Sequence, residues 1–586
     1  MNEILIKMVG QGLLNDQAAQ AVDSLTAEGE PLDEALIASS GMPEEKVLRF
    51  LAEEFHVPWA DLDSNLPDKA FLAKFPARIL LTHRLLPLSQ NNGTVTVASN
   101  RLFDTIGLDE LRMACGLEVH LALAASSEIT RCINSLLGVG ADTLQSLVSE
   151  AAEDGVEVVD AESDEDIDLE EAAHDASIIK FVNQILSEAI ERRATDVHFE
   201  PFESALRVRY RVDGILMEAN VPPEVRQFHP AIVSRIKILS HLDIAEKRLP
   251  QDGRIKLKVA SREVDVRVSV IPMLHGEAVV LRLLDRGATL LGLEHLGMSD
   301  RDRGIFENVL NVPHGVVLVT GPTGSGKTTT LYAGLSQIND TERKIITIED
   351  PVEYHLHGIN QIQVSTKAGL TFGKGLRAIL RHDPDVVLVG EIRDRETAEI
   401  AVQASLTGHL VFSTLHTNDA PGAMTRLVDM GIEPYLVTSS LEMIAAQRLV
   451  RLICPDCREP FKPEDMNAFR SQFGAEAPET LYRGRGCRQC QGSGYHGRTG
   501  IFEMMLISEE IRSLVLERAP STAIRRQAAR EGMKCLREDG WRLVQSGMTT
   551  IEEVLRVTKD ERTNGTGGAH YPSAANGQGA TNGLAH

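Results

Sequence analysis

The sequence predicts a multidomain α/β protein whose largest part is a parallel sheet covered by helices on both faces. A chain of 586 residues is too long for one hydrophobic core, so we expect three or four domains. Between residues 291 and 450 the apolar segments "GVVLVTG", "KIITIED", "DVVLVGE" and "HLVFSTLH" alternate with helical patterns. Strands that are apolar throughout are buried on both faces, which is typical of a parallel sheet flanked by helices.

Residues 1–140 are predicted to form an N-terminal domain that starts with helices and continues as a small α+β unit. "GLLNDQAAQAVDSL" and "GMPEEKVLRFLAEEF" each place a turn before an acidic helix start. "TVTVAS" and "EVHLALA" alternate like strands, and "RLFDTIGLDELRMAC" between them has helical spacing. We find neither a secretory leader pattern nor an apolar run of roughly 18 residues, so we expect a cytoplasmic protein.

Two segments are predicted to stay outside the folded domains. Residues 141–175 contain 14 acidic residues and neither Lys nor Arg, which supplies 14 of the 24 net negative charges and predicts a flexible linker. Residues 561–586 are of low complexity and are expected to be a disordered tail. The acidic balance argues against a protein that works by gripping nucleic-acid backbones.

Residues 176–290 are predicted to form a second α+β domain. "SIIKFVNQILSEAIERRATDVHFEP" reads as an amphipathic helix followed by a strand, and "ALRVRYRVDGIL" as a hairpin that turns at Asp213 and Gly214. Arg209 and Arg211 fall on one face of that hairpin, where like charges cost energy unless something negative faces them. With Arg254 of "PQDGR" they are candidates for contacting a phosphate; the alternative is an exposed basic strand face.

A glycine-rich loop, "GPTGSGKT", stands between a predicted strand and a predicted helix. Its spacing is that of a phosphate-binding loop, in which glycines let backbone N–H groups surround phosphates at a helix N-terminus. The predicted nucleotide-binding residues are Gly321, Pro322, Thr323, Gly324, Ser325, Gly326, Lys327, Thr328 and Thr329. We expect Lys327 to meet the β- and γ-phosphates and Thr328 to meet Mg²⁺; the alternative is a chance match on a surface loop.

Carboxylates follow two of the later strands. Glu349 and Asp350 end "ITIED", and Glu391 ends "DVVLVGE", where Gly390 stands at a position that usually holds an Asp. Because ligands bind at the carboxyl ends of parallel strands, one carboxylate is expected to hold Mg²⁺ and another to polarise the attacking water. Ordinary charged strand ends remain the alternative.

Two histidines, His409 and His416, flank the strand in "TGHLVFSTLHTND". They are either polar strand-end residues or sensors that touch phosphate or the acidic residues.

Two C-x-x-C pairs lie in residues 451–500, ahead of a predicted helical region at 501–560. Cys454, Cys457, Cys487 and Cys490 have the spacing of two zinc knuckles, and four thiolates make a closed tetrahedral Zn²⁺ site that is structural. Four unliganded thiols are the alternative.

The ordered set "GPTGSGKTT", "ITIEDPVEY", "DPDVVLVGEIRD" and "TGHLVFSTLHTNDA" resembles the Walker A, Asp box, Walker B and His box of the type II secretion / type IV pilus assembly ATPases. "TDVHFEP", "RYRVDG" and "RLPQDGR" resemble segments of the domain that precedes the motor in that family, and "CPDC…CRQC…GRTGIFE" its zinc-bearing insertion. The likeness covers roughly residues 40–560 and is greatest to the type II secretion branch.

The resemblance implies a RecA-like ATPase core at 291–450 that binds ATP and Mg²⁺ and works as a homohexamer. Lys327 would then hold phosphate, Glu349 would activate water, and Thr328, Asp350 and Glu391 would form the Mg²⁺ shell. The sequence does not separate the roles of the two glutamates. His409 and His416 would couple the nucleotide state to neighbouring elements, and the three candidate arginines would complete the site.

The resemblance also implies that ATP hydrolysis drives pseudopilus assembly and protein export. The protein would attach peripherally to the inner membrane through a recruiter and a platform protein. A type IV pilus extension ATPase is the alternative, and a nucleic-acid translocase is a third reading that the acidic balance disfavours. Some relatives bind cyclic di-GMP through an Arg-Leu-Gly opening of the N-terminal helices; the chain lacks this opening, and the ligand remains a possible partner.

Overall fold

The computed structural model describes residues 3–137, 176–285, 291–462 and 480–558, with gaps at 28, 63–65, 73, 104, 260–261 and 366. It divides into two compact units, Met1–Gly287 and Ala288–His586. The predicted linker at 141–175 and the predicted tail at 561–586 lie outside the described residues, as do residues 463–479 of the cysteine-bearing segment. Among the helices in the described ranges, none combines the length and apolar character that a membrane span requires.

The first unit begins with helices and a small sheet. The helices are α1 (Glu3–Gly10), α2 (Asp16–Ala27), α3 (Leu32–Ser39), α4 (Glu44–Glu54), α5 (Lys69–Leu72), α6 (Ala77–Thr82), α7 (Ile106–Cys115) and α8 (Ser126–Leu137). The sheet has the order β1 (Leu86–Asn91), β2 (Thr94–Ser99), β3 (Glu118–Leu123). The predicted strands "TVTVAS" and "EVHLALA" are confirmed, and they pair in parallel across the predicted helix α7.

An antiparallel sheet of six strands forms the rest of the first unit. Its elements are α9 (Ala176–Glu191), β4 (Ala194–Pro201), β5 (Leu206–Val212), β6 (Ile215–Glu218), α10 (His229–Leu239), β7 (Gln251–Val259), β8 (Arg262–Met273) and β9 (Gly276–Asp285). The strand order is β6-β5-β4-β9-β8-β7. Helices α9 and α10 and alternate apolar residues of the strands share one core, which leaves the other face of the sheet polar.

The second unit contains the sheet that the sequence predicts. Its strands are β10 (Gly315–Thr320), β11 (Ile345–Glu349), β12 (Asn360–Gln363), β13 (Val386–Val389), β14 (Leu410–Leu415), β15 (Leu441–Ile453), β16 (Arg458–Phe461), β17 (Leu481–Gly484) and β18 (Tyr495–Leu506). Its helices are α11 (Asp300–Val309), α12 (Lys327–Ile338), α13 (Phe372–Ile379), α14 (Arg395–Leu406), α15 (Ala420–Asp429), α16 (Pro434–Ser440), α17 (Glu509–Leu516), α18 (Ser521–Arg530), α19 (Leu536–Gln545) and α20 (Ile551–Val557).

Seven strands form the main sheet in the order β12-β11-β13-β14-β10-β15-β18, with β18 antiparallel to β15 and the others parallel. Val316 and Leu318 of β10 face one hydrophobic core, whereas Val317 and Val319 face another, so the apolar run reflects burial on both sides. The sheet extends beyond the range 291–450, because β18 and the end of β15 belong to it. The predicted α/β fold class is confirmed.

Candidate functional site

The phosphate loop connects β10 to α12, as the sequence predicts. Gly321 and Gly326 have φ angles of 146° and 87°, a region that favours glycine. Close packing also excludes side chains here, since a Cβ at Gly321 would lie 2.5 Å from the carbonyl oxygen of Gln447 on β15. The loop is therefore held against β15, with its first helical N–H groups at the carboxyl edge of the sheet.

Lys327 is the first residue of α12, and its buried ammonium group donates to the carbonyl oxygens of Gly321 (2.8 Å) and Pro322 (3.0 Å). Burial lowers the pKa of Lys327 to about 8, although the nearby charge of Glu391 acts in the opposite direction. A phosphate would supply the negative charge that this lysine lacks. Ser325 Oγ is buried without a hydrogen-bond partner among the described residues, which also fits a polar ligand in the loop.

Glu349 is the last residue of β11 and is 3% exposed. Its Oε2 accepts a hydrogen bond from the Tyr332 hydroxyl at 2.5 Å, and its Oε1 accepts from Thr347 Oγ1 at 2.6 Å and from Gln361 Nε2 at 3.3 Å. Burial raises the pKa of Glu349, while the three donors act to lower it. A buried carboxylate with a raised pKa is a plausible proton acceptor in chemical terms.

Glu391 follows β13 and is mostly buried. It forms an ion pair with Arg393, and His416 Nε2 lies 3.4 Å from its Oε2. The hydrogen bond that Arg393 donates to Glu391 raises the pKa of Arg393, which also lies 3.9 Å from Asp350. Gly390 precedes Glu391 where β13 passes close to β11, since a Cβ there would lie 3.3 Å from both Ile348 O and Glu349 Cα.

A cavity of about 380 Å³ joins these motifs. Its lining residues are Thr323, Gly324, Ser325, Gly326, Lys327, Thr328, Thr329, Glu349, Asp350, Pro351, Glu353, Tyr354, Gly390, Glu391, Arg393, Thr414 and His416. Lys327 of the phosphate loop and the acidic residues at the strand ends thus face the same cavity. Thr328, Asp350 and Glu391 supply hydroxyl and carboxylate oxygens, the donor type that Mg²⁺ prefers.

The two predicted histidines lie at opposite ends of β14. His416 follows the strand and contacts Glu391 in the cavity. His409 precedes the strand, next to the start of β10 rather than its loop end, and its Nδ1 lies 2.8 Å from Ala404 O at the end of α14. Within this chain, therefore, His409 has the place of a polar strand-end residue, because parallel strands carry their amino ends on the edge opposite the cavity.

Sequence reasoning missed two polar groups near the loop, Arg393 and Arg448. Arg448 lies on β15 after Gln447, where its positive charge helps to lower the pKa of Lys327. One terminal nitrogen donates to Asn418 Oδ1 at 2.9 Å, while Nε is buried without a partner among the described residues. Arg393 stands in the quoted "GEIRD", so proximity to Glu391 was a signal for it, whereas Arg448 carries no motif.

In the first unit, two of the three predicted arginines already have carboxylate partners. Arg209 pairs with Glu200 at 2.5 Å, Arg211 lies 3.7 Å from Asp196, and Arg254 is exposed on β7. The negative groups that the sequence argument required are therefore at least partly internal.

A row of arginines crosses the polar face of the six-stranded sheet. Directly paired positions on β7, β8, β9, β4 and β5 are Arg254, Arg267, Arg282, Asp196 and Arg211. Arg282 Nε donates to Asp196 Oδ1 at 2.9 Å. Sequence reasoning missed Arg267 and Arg282, because alternation places a residue on a face but does not reveal which residues lie opposite each other across strands.

The four predicted cysteines form a cluster, with Cys454, Cys457 and Cys490 buried. Their sulfur atoms are 3.7 Å apart for Cys454 and Cys487, 3.8 Å for Cys457 and Cys490, and 3.7 Å for Cys487 and Cys490. A tetrahedron with Zn–S bonds of about 2.3 Å has edges of about 3.8 Å, so the spacing fits one Zn²⁺ ion. Backbone N–H groups of Cys487 and Gly494 also donate to Cys490 Sγ, at 3.1 and 3.2 Å, which favours a thiolate.

Comparison with known protein families identifies the family of this chain. Residues 171–556 match the model of the family described as "Type II/IV secretion system protein", which is more than half of the chain. The chain belongs to the Type II/IV secretion system protein family. Residues 55–142 match the MshEN domain. The resemblance drawn from the motifs is thereby confirmed, and the protein is an ATP-hydrolysing enzyme of this secretion family.

Among its relatives in the family is the type II secretion system protein E of Pseudomonas aeruginosa. It is 57% identical over 394 residues, which cover 67% of this chain and 78% of that relative. The type IV pilus assembly ATPase PilB of Myxococcus xanthus is 40% identical over 570 residues, which cover 96% of this chain and 99% of the relative. A crystal structure of the pilus retraction motor PilT with bound ADP is 27% identical with a TM-score of 0.43, and covers 65% of this chain and 97% of PilT.

Proposed function

We propose that this chain is the ATPase of a type II secretion system, which hydrolyses ATP in the phosphate-loop cavity to drive pseudopilus assembly and protein export. The observation that carries the proposal is the cavity itself, in which Lys327 faces Glu349 and Glu391. The 57% identity to a type II secretion system protein E over 394 residues supports the secretion role.

We assign the nucleotide's phosphates to the loop. Backbone N–H groups at the start of α12 and the ammonium group of Lys327 bind the β- and γ-phosphates, so Lys327 exchanges loop carbonyls for phosphate oxygens. Thr328, Asp350 and Glu391 are the residues that would hold Mg²⁺, which when bound neutralises charge that develops on the phosphoryl oxygens.

We assign the general base to Glu349. Among the residues that the structure describes, its Oε1 accepts two hydrogen bonds and its Oε2 one, so Oε2 keeps a lone pair for the proton of the attacking water. Burial raises the pKa of Glu349 and therefore its affinity for that proton. His416 contacts Glu391 and so is placed to transmit a change there to the loop after β14.

We propose that the enzyme works as a homohexamer in which arginines of the polar sheet face complete the site of a neighbouring subunit. Arg209, Arg211 and Arg254 remain the candidates, now together with Arg267 and Arg282. The row across the sheet holds four arginines and one aspartate, Asp196, and a triphosphate would neutralise this net positive charge. His409 would then serve contacts other than those with its own cavity.

The cysteine cluster is proposed to hold a structural Zn²⁺ ion. Four protein ligands leave no open position for a substrate. We further propose a cytoplasmic location, with attachment to the inner membrane through a recruiter and a platform protein of the secretion apparatus.

Substitution of Glu391 and Lys327 tests the enzymatic assignment. Glu391→Gln is expected to lower kcat at least about a hundredfold while ATP still binds, and Lys327→Ala to weaken ATP binding as well. Glu399→Gln is a matched control, since Glu399 pairs with Arg395 at 2.6 Å on the exposed face of α14. Unchanged turnover in Glu391→Gln, or normal export by cells that carry only this variant, would contradict the proposal.

Pilus extension is a second candidate, favoured by the alignment of 96% of the chain with a pilus assembly ATPase. Deletion of the gene distinguishes the two roles. Loss of exported proteins from the medium with normal surface pili supports secretion, and the reverse outcome supports pilus extension.

Cyclic di-GMP is a candidate ligand of the N-terminal domain, favoured by the MshEN match at residues 55–142. Calorimetric titration of the full chain with cyclic di-GMP, with GTP as the control nucleotide, checks it. We expect saturable binding of cyclic di-GMP at micromolar concentration, and its absence would remove this ligand.

A further inference from the structure

Tyr332 links the phosphate-loop helix to the carboxylate that we assign as the base. It lies in the second turn of α12, the helix that begins at Lys327, and it is 0% exposed. Its hydroxyl donates to Glu349 Oε2 at 2.5 Å. A fully buried hydroxyl requires a partner, and here that partner is the oxygen assigned to receive the proton.

Two further donors hold the other carboxylate oxygen. Thr347 Oγ1 donates to Glu349 Oε1 at 2.6 Å within β11, and Gln361 Nε2 reaches the same atom at 3.3 Å from β12. Gln361 is itself oriented, because its Oε1 accepts from Leu356 N at 2.8 Å and its Nε2 donates to Tyr354 O at 3.0 Å. Three separate elements therefore fix the plane of one carboxylate.

We propose that Tyr332 is a positioning residue for ATP hydrolysis, which holds Glu349 Oε2 in the orientation that accepts the proton of the attacking water. This inference rests on the proposed role of Glu349. Among the described residues, all three partners of the carboxylate are donors, and together they hold both of its oxygens in place.

Tyr332→Phe removes the hydroxyl and leaves the aromatic ring in its core. We expect kcat for ATP to fall about tenfold, as the loss of a hydrogen bond to a charged group implies, with KM for ATP changed less than about twofold. A merely structural defect would instead lower the active fraction, which active-site titration with a non-hydrolysable ATP analogue measures.

A double-mutant cycle with Glu349→Gln identifies the route of the effect. If Tyr332 acts through the carboxylate, adding Tyr332→Phe to Glu349→Gln changes the residual single-turnover rate by less than about twofold. A further tenfold loss in that background would overturn the proposal. If Glu349→Gln alone has normal turnover, the assignment of Glu349 fails, which is distinguishable from failure of the Tyr332 inference alone.

Tyr210 provides a matched control within the same chain. Its hydroxyl donates to Glu188 Oε2 at 2.6 Å, and the residue is 0% exposed in the core of the six-stranded sheet. Tyr210→Phe loses the same kind of hydrogen bond and is expected to leave kcat unchanged. If Tyr332→Phe does not fold, Thr347→Val tests the network instead, since it removes the hydroxyl that donates to the same carboxylate. A wild-type kcat for a folded Thr347→Val or Tyr332→Phe protein contradicts the inference.

Discussion

Charged side chains in the second unit lie where burial and charge pairing act in opposite directions. At Lys327 burial dominates and lowers the pKa to about 8. A bound anion would stabilise the charged form of this lysine. At Glu553, burial acts to raise the pKa, but hydrogen bonds from Arg556 and Arg451 outweigh it and lower the pKa to about 2. Lys327 can bind a phosphate because its charge is not fully compensated by the protein, whereas the charge of Glu553 is compensated by its two arginines.

Glu553 should contribute stability that depends on pH. Its pKa of about 2 lies below the ordinary value of 4.5, so the contribution is complete above pH 4.5 and is lost as the pH falls from 4.5 towards 2. Glu553→Gln is expected to lower the free energy of unfolding by about 3 kcal/mol at pH 7, and by less at pH 3. Urea unfolding of both proteins at the two pH values measures the difference.

Glu552→Gln is the control for this prediction, because Glu552 is the exposed neighbour of Glu553 in the first turn of α20. It should leave the midpoint of unfolding nearly unchanged. An equal effect of Glu553→Gln at pH 7 and pH 3 would contradict the assigned charge pairing.

Site residues could be predicted from the sequence where they stand in a motif with a fixed spacing along the chain. The phosphate loop, Glu349 and Glu391 stand in local motifs, and they line one cavity. Tyr332 looks like any buried aromatic residue of a helix, and its contact with Glu349 appears only when α12 packs near β11. Arg448 and the cross-strand partners of Arg254 are likewise set by tertiary pairing.

At the scale of elements, local turn chemistry and strand burial were readable from sequence. Asp213 and Gly214 have φ angles of 48° and 85°, which confirms the predicted two-residue hairpin turn. The sequence did not predict that β15 continues past Ala446, where its pairing with β10 ends. β15 pairs with β18 from Met443 to Ile453, and the register depends on residues some fifty positions away in the chain, which no local pattern encodes.

The cysteine cluster should fix the base of the segment between β15 and β18. We expect about one Zn²⁺ per chain in protein purified with reductant, and Cys487→Ser to lose the metal and lower the melting temperature of the second unit. Metal analysis and calorimetry measure the two effects. Cys115→Ser, in the first unit, should retain the metal; a metal-free wild type would contradict the site.

At the scale of the whole molecule, the nucleotide cavity and the arginine row belong to different compact units. Within the three or four domains that it predicts, the sequence places the arginines in an α+β domain at 176–290 and the phosphate loop in an α/β core at 291–450. It does not predict sheet order or the polar row, because these arise from pairing between distant strands.

Assembly into a ring should let arginines and cavities of different subunits combine. We expect Lys327→Ala and Arg254→Ala proteins to be impaired alone, and their co-refolded one-to-one mixture to recover up to about a quarter of wild-type ATPase activity, since random mixing restores some complete sites. The control mixture, Lys327→Ala with Glu391→Gln, carries both lesions in one cavity and should stay inactive. A mixture no more active than its parts would argue against sites shared between subunits.

One continuous strand, β15, runs from the glycine-rich loop to the thiol cluster. Gln447 braces Gly321 near its middle, and Cys454 follows directly after its last residue, about 23 Å further along an extended backbone. Such a strand is stiff along its length, so we expect a displacement at one end to displace the other end as well. Chelators that remove an ion from the cysteine cluster should therefore weaken nucleotide affinity, although they do not bind in the phosphate-loop cavity.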